Sequence, residues 1–242
     1  MSELDGRVVV VTGAARGIGL ATSTVLAEAG AAVVGVDLDR PGSGSGFASF
    51  HQLDLRDAAA VVALLDGVLA ERGALHGLVN SAVLASVAPF LDSTLDALDA
   101  AYAVNVRALF HLAQQTARRM RPGDGGSIVN LASVNALRGV RNTSVYSLTK
   151  GAVAALTRTM AVELAPHGIR VNAVAPSTTG TDKVLSLLSE DDVAIRVNRI
   201  PLGRLAGPPE VARVIAFLVS PASSFVSGHV LPADGGYLAY GS

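Results

Sequence analysis

The chain has 242 residues, a formal net charge of −1, half of its residues apolar, and no cysteine. That length suits one domain with a core large enough to need no covalent staples. The absent cysteines exclude disulfides, thiolate catalysis and cysteine-held zinc, and the near-zero charge argues against a nucleic-acid or anionic-membrane surface.

Met1–Gly6 lacks the basic and then apolar pattern of a signal peptide, so a cytoplasmic protein is expected. Short β-branched runs then alternate with Ala/Leu-rich segments of helical length. The predicted strands are Val8–Thr12, Ala32–Val36, Ser49–Gln52, Gly77–Asn80, Ser127–Leu131, Arg170–Ala175 and His229–Pro232. Helices are predicted near 17–29, 57–71, 94–120, 144–165, 182–190 and 208–219. Such interleaving implies βαβ units in one Rossmann-type, doubly wound parallel sheet, with helices on both faces, as a single domain over 1–242. The stretch Gly73–Leu91 carries no charged residue, but His76, Asn80, Ser81 and Pro89 make it a buried strand plus loop rather than a membrane span. Pro41–Gly46 reads as a flexible turn. The irregular segment 177–199 follows a strand's carboxyl end, where α/β folds bind ligands, and is the expected substrate lid.

The turn after the first strand is Thr12-Gly-Ala-Ala-Arg-Gly-Ile-Gly19. Gly13, Gly17 and Gly19 let backbone approach a pyrophosphate, and the helix that starts there supplies N–H groups and a partial positive charge. The spacing is G-x-x-x-G-x-G rather than the commoner G-x-G-x-x-G. Asp37 ends the second strand, where a carboxylate accepts hydrogen bonds from ribose hydroxyls and repels a 2′-phosphate. This favours NAD. Arg16, a cation in the turn, argues for NADP, which stays possible. Asp54 follows the third strand and either meets the adenine amine or is a loop or N-cap carboxylate.

Tyr146 and Lys150 are four apart in a helical segment and share a face. A phenol ionises near pH 10, and a neighbouring cation favours the phenolate, which makes tyrosine a workable acid and base. Ser133 stands thirteen residues before Tyr146, after a strand, where its hydroxyl can hold a substrate oxygen. Asn105 sits inside the long helix 94–120 against its propensity. It either holds a water linking Lys150 to solvent or is a satisfied buried amide.

With these residues together, the chain resembles the classical short-chain dehydrogenase/reductase family along essentially its whole length. The matching features are the Thr12–Gly19 turn, Asn80, the Val-Asn-Val around Asn105, Ser133, Tyr146, Lys150, Arg170–Pro176 and Asp234-Gly-Gly236. The resemblance implies an alcohol dehydrogenase or carbonyl reductase acting on a small secondary alcohol or ketone. Tyr146 would be the acid/base, Ser133 would position the reacting oxygen, Lys150 would bind ribose and lower the tyrosine pKa, and Asn105 would maintain a proton relay. Gly13, Arg16, Gly17, Ile18, Gly19, Asp37, Asp54, Asn80, Pro176 and Thr181 would line the dinucleotide together with Tyr146 and Lys150. The family is commonly tetrameric, so a homotetramer is expected.

Two positions depart from the family pattern: Val83 and Ser177 stand where glycine is usual. Pro176–Asp182 and Ile200–Ala206 also look like 2,3-dihydro-2,3-dihydroxybenzoate dehydrogenases. In that case Arg138 and Arg141 would meet a substrate carboxylate; otherwise they are exposed loop arginines. The other readings are a 3-oxoacyl-thioester reductase and a dinucleotide-sensing protein without turnover. The five histidines have no ligand spacing and no nucleophile elbow is present, so neither a metal site nor a hydrolase is expected.

Overall fold

The computed structural model describes residues 4–42, 46–120 and 125–240. The turn expected at Pro41–Gly46 lies partly outside them. Seven parallel strands form one sheet: β1 Val8–Thr12, β2 Ala32–Asp37, β3 Ser49–Gln52, β4 Gly77–Asn80, β5 Gly126–Leu131, β6 Ile169–Pro176 and β7 Val230–Ala233, in the spatial order β3-β2-β1-β4-β5-β6-β7. Every strand ends within a residue of its predicted boundary. The helices are α1 Gly17–Glu28, α2 Ala58–Arg72, α3 Leu95–Tyr102, α4 Leu109–Arg119, α5 Ser144–Leu164, α6 Asp182–Leu185, α7 Glu190–Val197 and α8 Pro208–Val219.

The valine run of β1 explains the layering. Successive strand side chains point to opposite faces. Val8 and Val10 therefore pack with Leu64, Leu65 and Leu112 from α2 and α4. Val9 and Val11 pack with Leu26, Ile215 and Leu218 from α1 and α8. All five β1 residues are buried, as a doubly covered parallel sheet requires.

Two predicted helices differ from the structure. The segment 182–190 is helical only at its start, as α6, and Ser189 begins a new helix, α7, that runs past the predicted end to Val197. The Ser189 hydroxyl accepts the Asp192 N–H at 3.1 Å, and the Asp192 carboxylate accepts the Ser189 N–H at 3.2 Å. This reciprocal capping box favours a fresh start over continuation. The segment 94–120 is helical throughout but widens into a π turn over Ala103–Ala108, with Asn105 inside it.

Strand order reverses between β1 and β4, and their carboxyl ends pair Thr12 with Asn80. That switch point is where a doubly wound fold opens its ligand crevice. Thr12 builds it: its hydroxyl accepts the Ser81 and Ala82 N–H groups at 3.1 and 3.2 Å. Among the described residues no helix is long and apolar enough to cross a membrane, and no group of side chains is arranged to hold a metal ion.

The fully buried Ile215 tests the α1/α8 layer. Ile215→Ala is expected to cost about 2–5 kcal/mol and to lower the thermal midpoint by roughly 5–15 °C. A shift under about 2 °C in a scanning calorimeter would contradict the assignment of α8 to the core.

Candidate active site

The glycine turn is shaped by contacts within the chain. Gly13 and Gly17 have φ of 65° and 56°, in the left-handed region that favours glycine. A Cβ on Gly19 would lie 2.0 Å from the Gly13 carbonyl oxygen, and one on Gly13 would lie 2.8 Å from the Ala82 nitrogen. Both sites therefore exclude side chains. Helix α1 begins at Gly17 with no side-chain cap and no acidic residue in its first turn. By contrast α2, α3 and α7 are capped by Asp57, Thr94 and Ser189. The first N–H groups of α1 thus have no side-chain acceptor, and with the crowded glycines beside them the turn fits a dinucleotide pyrophosphate. Ile18 lies in that first turn and packs against the α1/α8 core.

Asp37 sits at the end of β2 and is tied to the turn. Its Oδ2 accepts the Ala15 N–H at 2.9 Å and its Oδ1 accepts the Asp39 N–H at 3.2 Å. Arg16 is turned outward onto Asp39, 2.7 Å away, with both side chains exposed. Asp54 matches the loop-carboxylate alternative. It accepts the Arg56 backbone N–H at 2.9 Å and pairs with the Arg56 guanidinium at 2.6 Å, and that guanidinium holds its carboxyl below the usual range. Thr181 caps α6, accepting the Val184 N–H at 3.3 Å, and its methyl lies 3.2 Å from where a Gly17 Cβ would stand. The loop after β6 therefore closes on the glycine turn. Pro176 is the last residue of β6 and is buried.

The polar residues at the ends of β4 and β5 are linked in a buried chain. Asn80 donates to Asn130 Oδ1 at 2.9 Å, and Asn130 donates to Thr157 on α5 at 2.9 Å. Ser133 follows β5. Its hydroxyl accepts the Asn135 N–H at 3.2 Å and also reaches the Tyr146 phenol. Asn135 in turn donates to Thr143 at 3.0 Å, closing the loop between Ser133 and α5. Asn142 in this loop has a φ of 62°, the only positive value outside glycine among the described residues, and its carbonyl accepts the Ala88 N–H at 2.9 Å.

Helix α5 carries Tyr146 and Lys150 on one face. Lys150 is buried and donates to the Leu131 carbonyl at the end of β5, with its Nζ 5.7 Å from the Tyr146 ring centre. Burial pushes the Lys150 ammonium down to about 8. Burial also raises the Tyr146 phenol above its ordinary value of 10, and the Ser133 hydrogen bond offsets this only in part. Within the polypeptide, burial is the larger influence on the phenol and the Ser133 hydrogen bond the smaller. Lys150 directs its ammonium to a carbonyl instead of the phenol oxygen.

Asn105 is a satisfied buried amide. It accepts the Leu84 N–H at 2.8 Å, donates to the Leu84 carbonyl at 2.9 Å and donates to Thr149 at 3.1 Å. It therefore clamps the loop after β4 to α5. Val83, in that loop, is 43% exposed and has an ordinary backbone, so no glycine is required there. Ser177 donates to the Asp234 carbonyl at 3.2 Å, tying the end of β6 to the Asp234-Gly-Gly turn.

Sequence reasoning brought together Asn80, Asn105, Ser133, Tyr146 and Lys150 but missed their supports. Asn135 is two residues from Ser133 and Thr149 adjoins Lys150, so proximity was an available signal. Asn130 and Thr157 carried none, because only the register of β4 with β5 and the packing of α5 unite them.

Residues 13–238 match the family model described as Enoyl-(Acyl carrier protein) reductase. The chain is 42% identical to L-xylulose reductase of Bos taurus, with 98% of each chain covered. It is also 42% identical to cis-4-hydroxycyclohexanecarboxylate dehydrogenase of Sinomonas cyclohexanicum, covering 96% of this chain and 97% of that one. The fold superimposes on Thermoplasma acidophilum aldohexose dehydrogenase with a TM-score of 0.92 at 30% identity, covering 99% and 96% of the two chains. The glycine turn, the serine–tyrosine–lysine cluster and these likenesses agree: the chain belongs to the classical short-chain dehydrogenase/reductase family, NAD(P)-dependent oxidoreductases that interconvert secondary alcohols and ketones.

Proposed function

We propose that this enzyme uses NAD in preference to NADP and acts on a secondary alcohol borne on a ring or a polyol, with Tyr146 as its acid and base. The observation that carries this reading is the joint placement of Ser133, Tyr146 and Lys150 at the carboxyl end of β5, beside the glycine turn of β1. The nicotinamide, when bound, supplies or accepts the hydride. The remaining work belongs to the chain. In carbonyl reduction the Ser133 hydroxyl holds the carbonyl oxygen, and the Tyr146 phenol delivers its proton to that oxygen. Lys150 holds the ribose and returns a proton to the phenolate. Asn105 maintains the path from Lys150 to solvent by holding Leu84 against Thr149.

The preference for NAD rests on charge. Asp37 is fixed at the turn as a carboxylate at the adenosine end, and Asp39 occupies Arg16, so the cation of the glycine turn is already paired. Gly13, Gly17, Ile18 and Gly19 carry the pyrophosphate, while Asn80, Pro176 and Thr181 border the nicotinamide end. Asp54 is paired with Arg56 and plays the smaller part. The segment 177–199 serves as the lid, hinged where Thr179 bridges Ala206. The relatives are named for a sugar, L-xylulose, and for a hydroxylated cyclohexane acid, which favours a cyclic or polyol substrate over a 3-oxoacyl thioester. The reading includes a cytoplasmic homotetramer. Tyr102, Phe110, Leu148 and Val162 are exposed on the helices that would pair.

Tyr146→Phe is expected to lower kcat by roughly 10²–10⁴-fold, with the NADH dissociation constant within about twofold by fluorescence titration. Turnover within tenfold of the parent would contradict the role of the phenol.

The pKa directions fix the pH dependence. Below about pH 8 Lys150 is charged and Tyr146 is protonated, so both groups are in the form that reduction needs. The rate of ketone reduction is therefore expected to be level through neutral pH and to fall as pH rises through about 8. A profile that still climbs at pH 9 would count against Lys150.

Asp37→Ala is expected to narrow the ratio of kcat/KM for NADH over NADPH by about tenfold or more, because like charges facing a 2′-phosphate are costly. An unchanged ratio would remove Asp37 from the ribose.

A further inference from the structure

A cavity of about 540 Å³ is lined by Arg138, Gly139, Val140, Arg141, Arg199, Tyr237 and Tyr240. Three segments supply these residues. Arg138 and Arg141 stand in the loop between Ser133 and Tyr146. Arg199 closes the lid segment after α7. The two tyrosines belong to the turn that Asp234 holds by accepting the Gly236 and Leu238 N–H groups, both at 2.9 Å.

The charges in this cavity are unbalanced, since no acidic residue among the described residues lines it. Arg138 is engaged: it lies 5.4 Å above the Tyr237 ring and donates to the Tyr237 and Tyr240 carbonyls at 3.4 Å. The guanidinium groups of Arg141 and Arg199 have no ion-pair or hydrogen-bond partner among the described residues. Elsewhere Arg16, Arg56, Arg119 and Arg204 each sit within 2.7 Å of a carboxylate. With a whole-chain charge of −1, a concave cluster of three guanidinium groups is a local feature.

We propose that this cavity receives a carboxylate on the substrate, so that the enzyme acts on hydroxy acids or keto acids in which the anion lies several bonds from the reacting carbon. This rests on the alcohol–ketone function proposed above and names the class of substrate. Guanidinium forks match the planar geometry of a carboxylate. A cavity of this volume takes a small molecule or part of one. Its position also suits substrate rather than coenzyme. It is built from segments that follow β5, β6 and β7, whereas the pyrophosphate turn follows β1. Arg138 is five residues from Ser133, at most about 18 Å along an extended chain. Its N–H bonds the Val134 carbonyl at 2.9 Å, so the chain between them is folded back. An anion held there would also join the lid, through Arg199, to the loop that ends at Tyr146.

The test uses two ketones that differ in charge, 4-oxocyclohexanecarboxylate and its methyl ester, reduced with NADH by the parent enzyme and by the Arg141→Met/Arg199→Met variant. The parent is expected to favour the acid over the ester. The variant should raise KM for the acid by about 10–100-fold, with ester kinetics within twofold, which also reports intact folding. Binding of cyclohexanecarboxylate and of inorganic phosphate, followed by calorimetry, separates the two proposals. If neither ketone is reduced but cyclohexanecarboxylate binds the parent and not the variant, the cavity assignment stands and the reaction assigned above falls for these ketones. Equal use of acid and ester by the parent, or equal losses on both in the variant, overturns the carboxylate site while leaving Tyr146 in place. Phosphate binding more tightly than cyclohexanecarboxylate overturns it as well.

Discussion

Lys150 brings an ammonium into the interior at the end of β5, where the Leu131 carbonyl is its hydrogen-bond acceptor. Removing a charge from water is costly unless fixed dipoles replace the solvent. Here a strand end provides one, and the cost that remains appears as a lysine titrating near 8. The position of this carbonyl depends on the parallel pairing of β5 with β6. The position of the ammonium depends on α5 lying across those strands. The active site thus inherits its geometry from the sheet, through one lysine.

Other polar groups repeat this arrangement. Asn80, Asn130 and Thr157 form a buried line from β4 through β5 to α5, and Asn105 fastens the neighbouring loop to Thr149. Buried polar groups are expensive when unpaired, so each bond in such a chain restricts the next. A shift of α5 along the sheet would break several of them together. Tyr146 and Ser133 consequently meet where the turn that carries the serine packs on α5, and the Asn135–Thr143 bond ties that turn to the residue before the helix.

Much of the fold was legible because most of its strands, β3 (Ser-Phe-His-Gln) apart, are runs rich in valine, leucine and isoleucine between glycine or polar breaks. A doubly covered sheet demands those runs, so strand positions agreed closely. The helix start at Ser189 was missed although Ser189 and Asp192 stand at capping-box spacing, so the predicted helix ended at 190, where α7 begins. The π turn at Asn105 was not legible, because one extra residue in a helical turn leaves the apolar pattern nearly unchanged. At the site, spacing placed Tyr146 and Lys150 on one face but could not show which oxygen the ammonium would choose. Asp54 shows the same limit: Arg56, two residues on, satisfies it locally. The arginine cavity was only half visible, since Arg199 and the two tyrosines are remote in sequence from Arg138.

The central claim is that the folded chain itself keeps the Tyr146 phenol protonated, the form that carbonyl reduction uses, and that the phenolate needed for alcohol oxidation requires a further positive charge beside it. With four tyrosines in the chain, the phenolate absorbance of the parent minus that of the Tyr146→Phe variant isolates this one group. Titrated without coenzyme, the difference signal is expected to stay flat past pH 10. With saturating NAD⁺ its midpoint should move to lower pH. A midpoint below pH 9 in the coenzyme-free protein, or one that NAD⁺ leaves unmoved, would contradict the account.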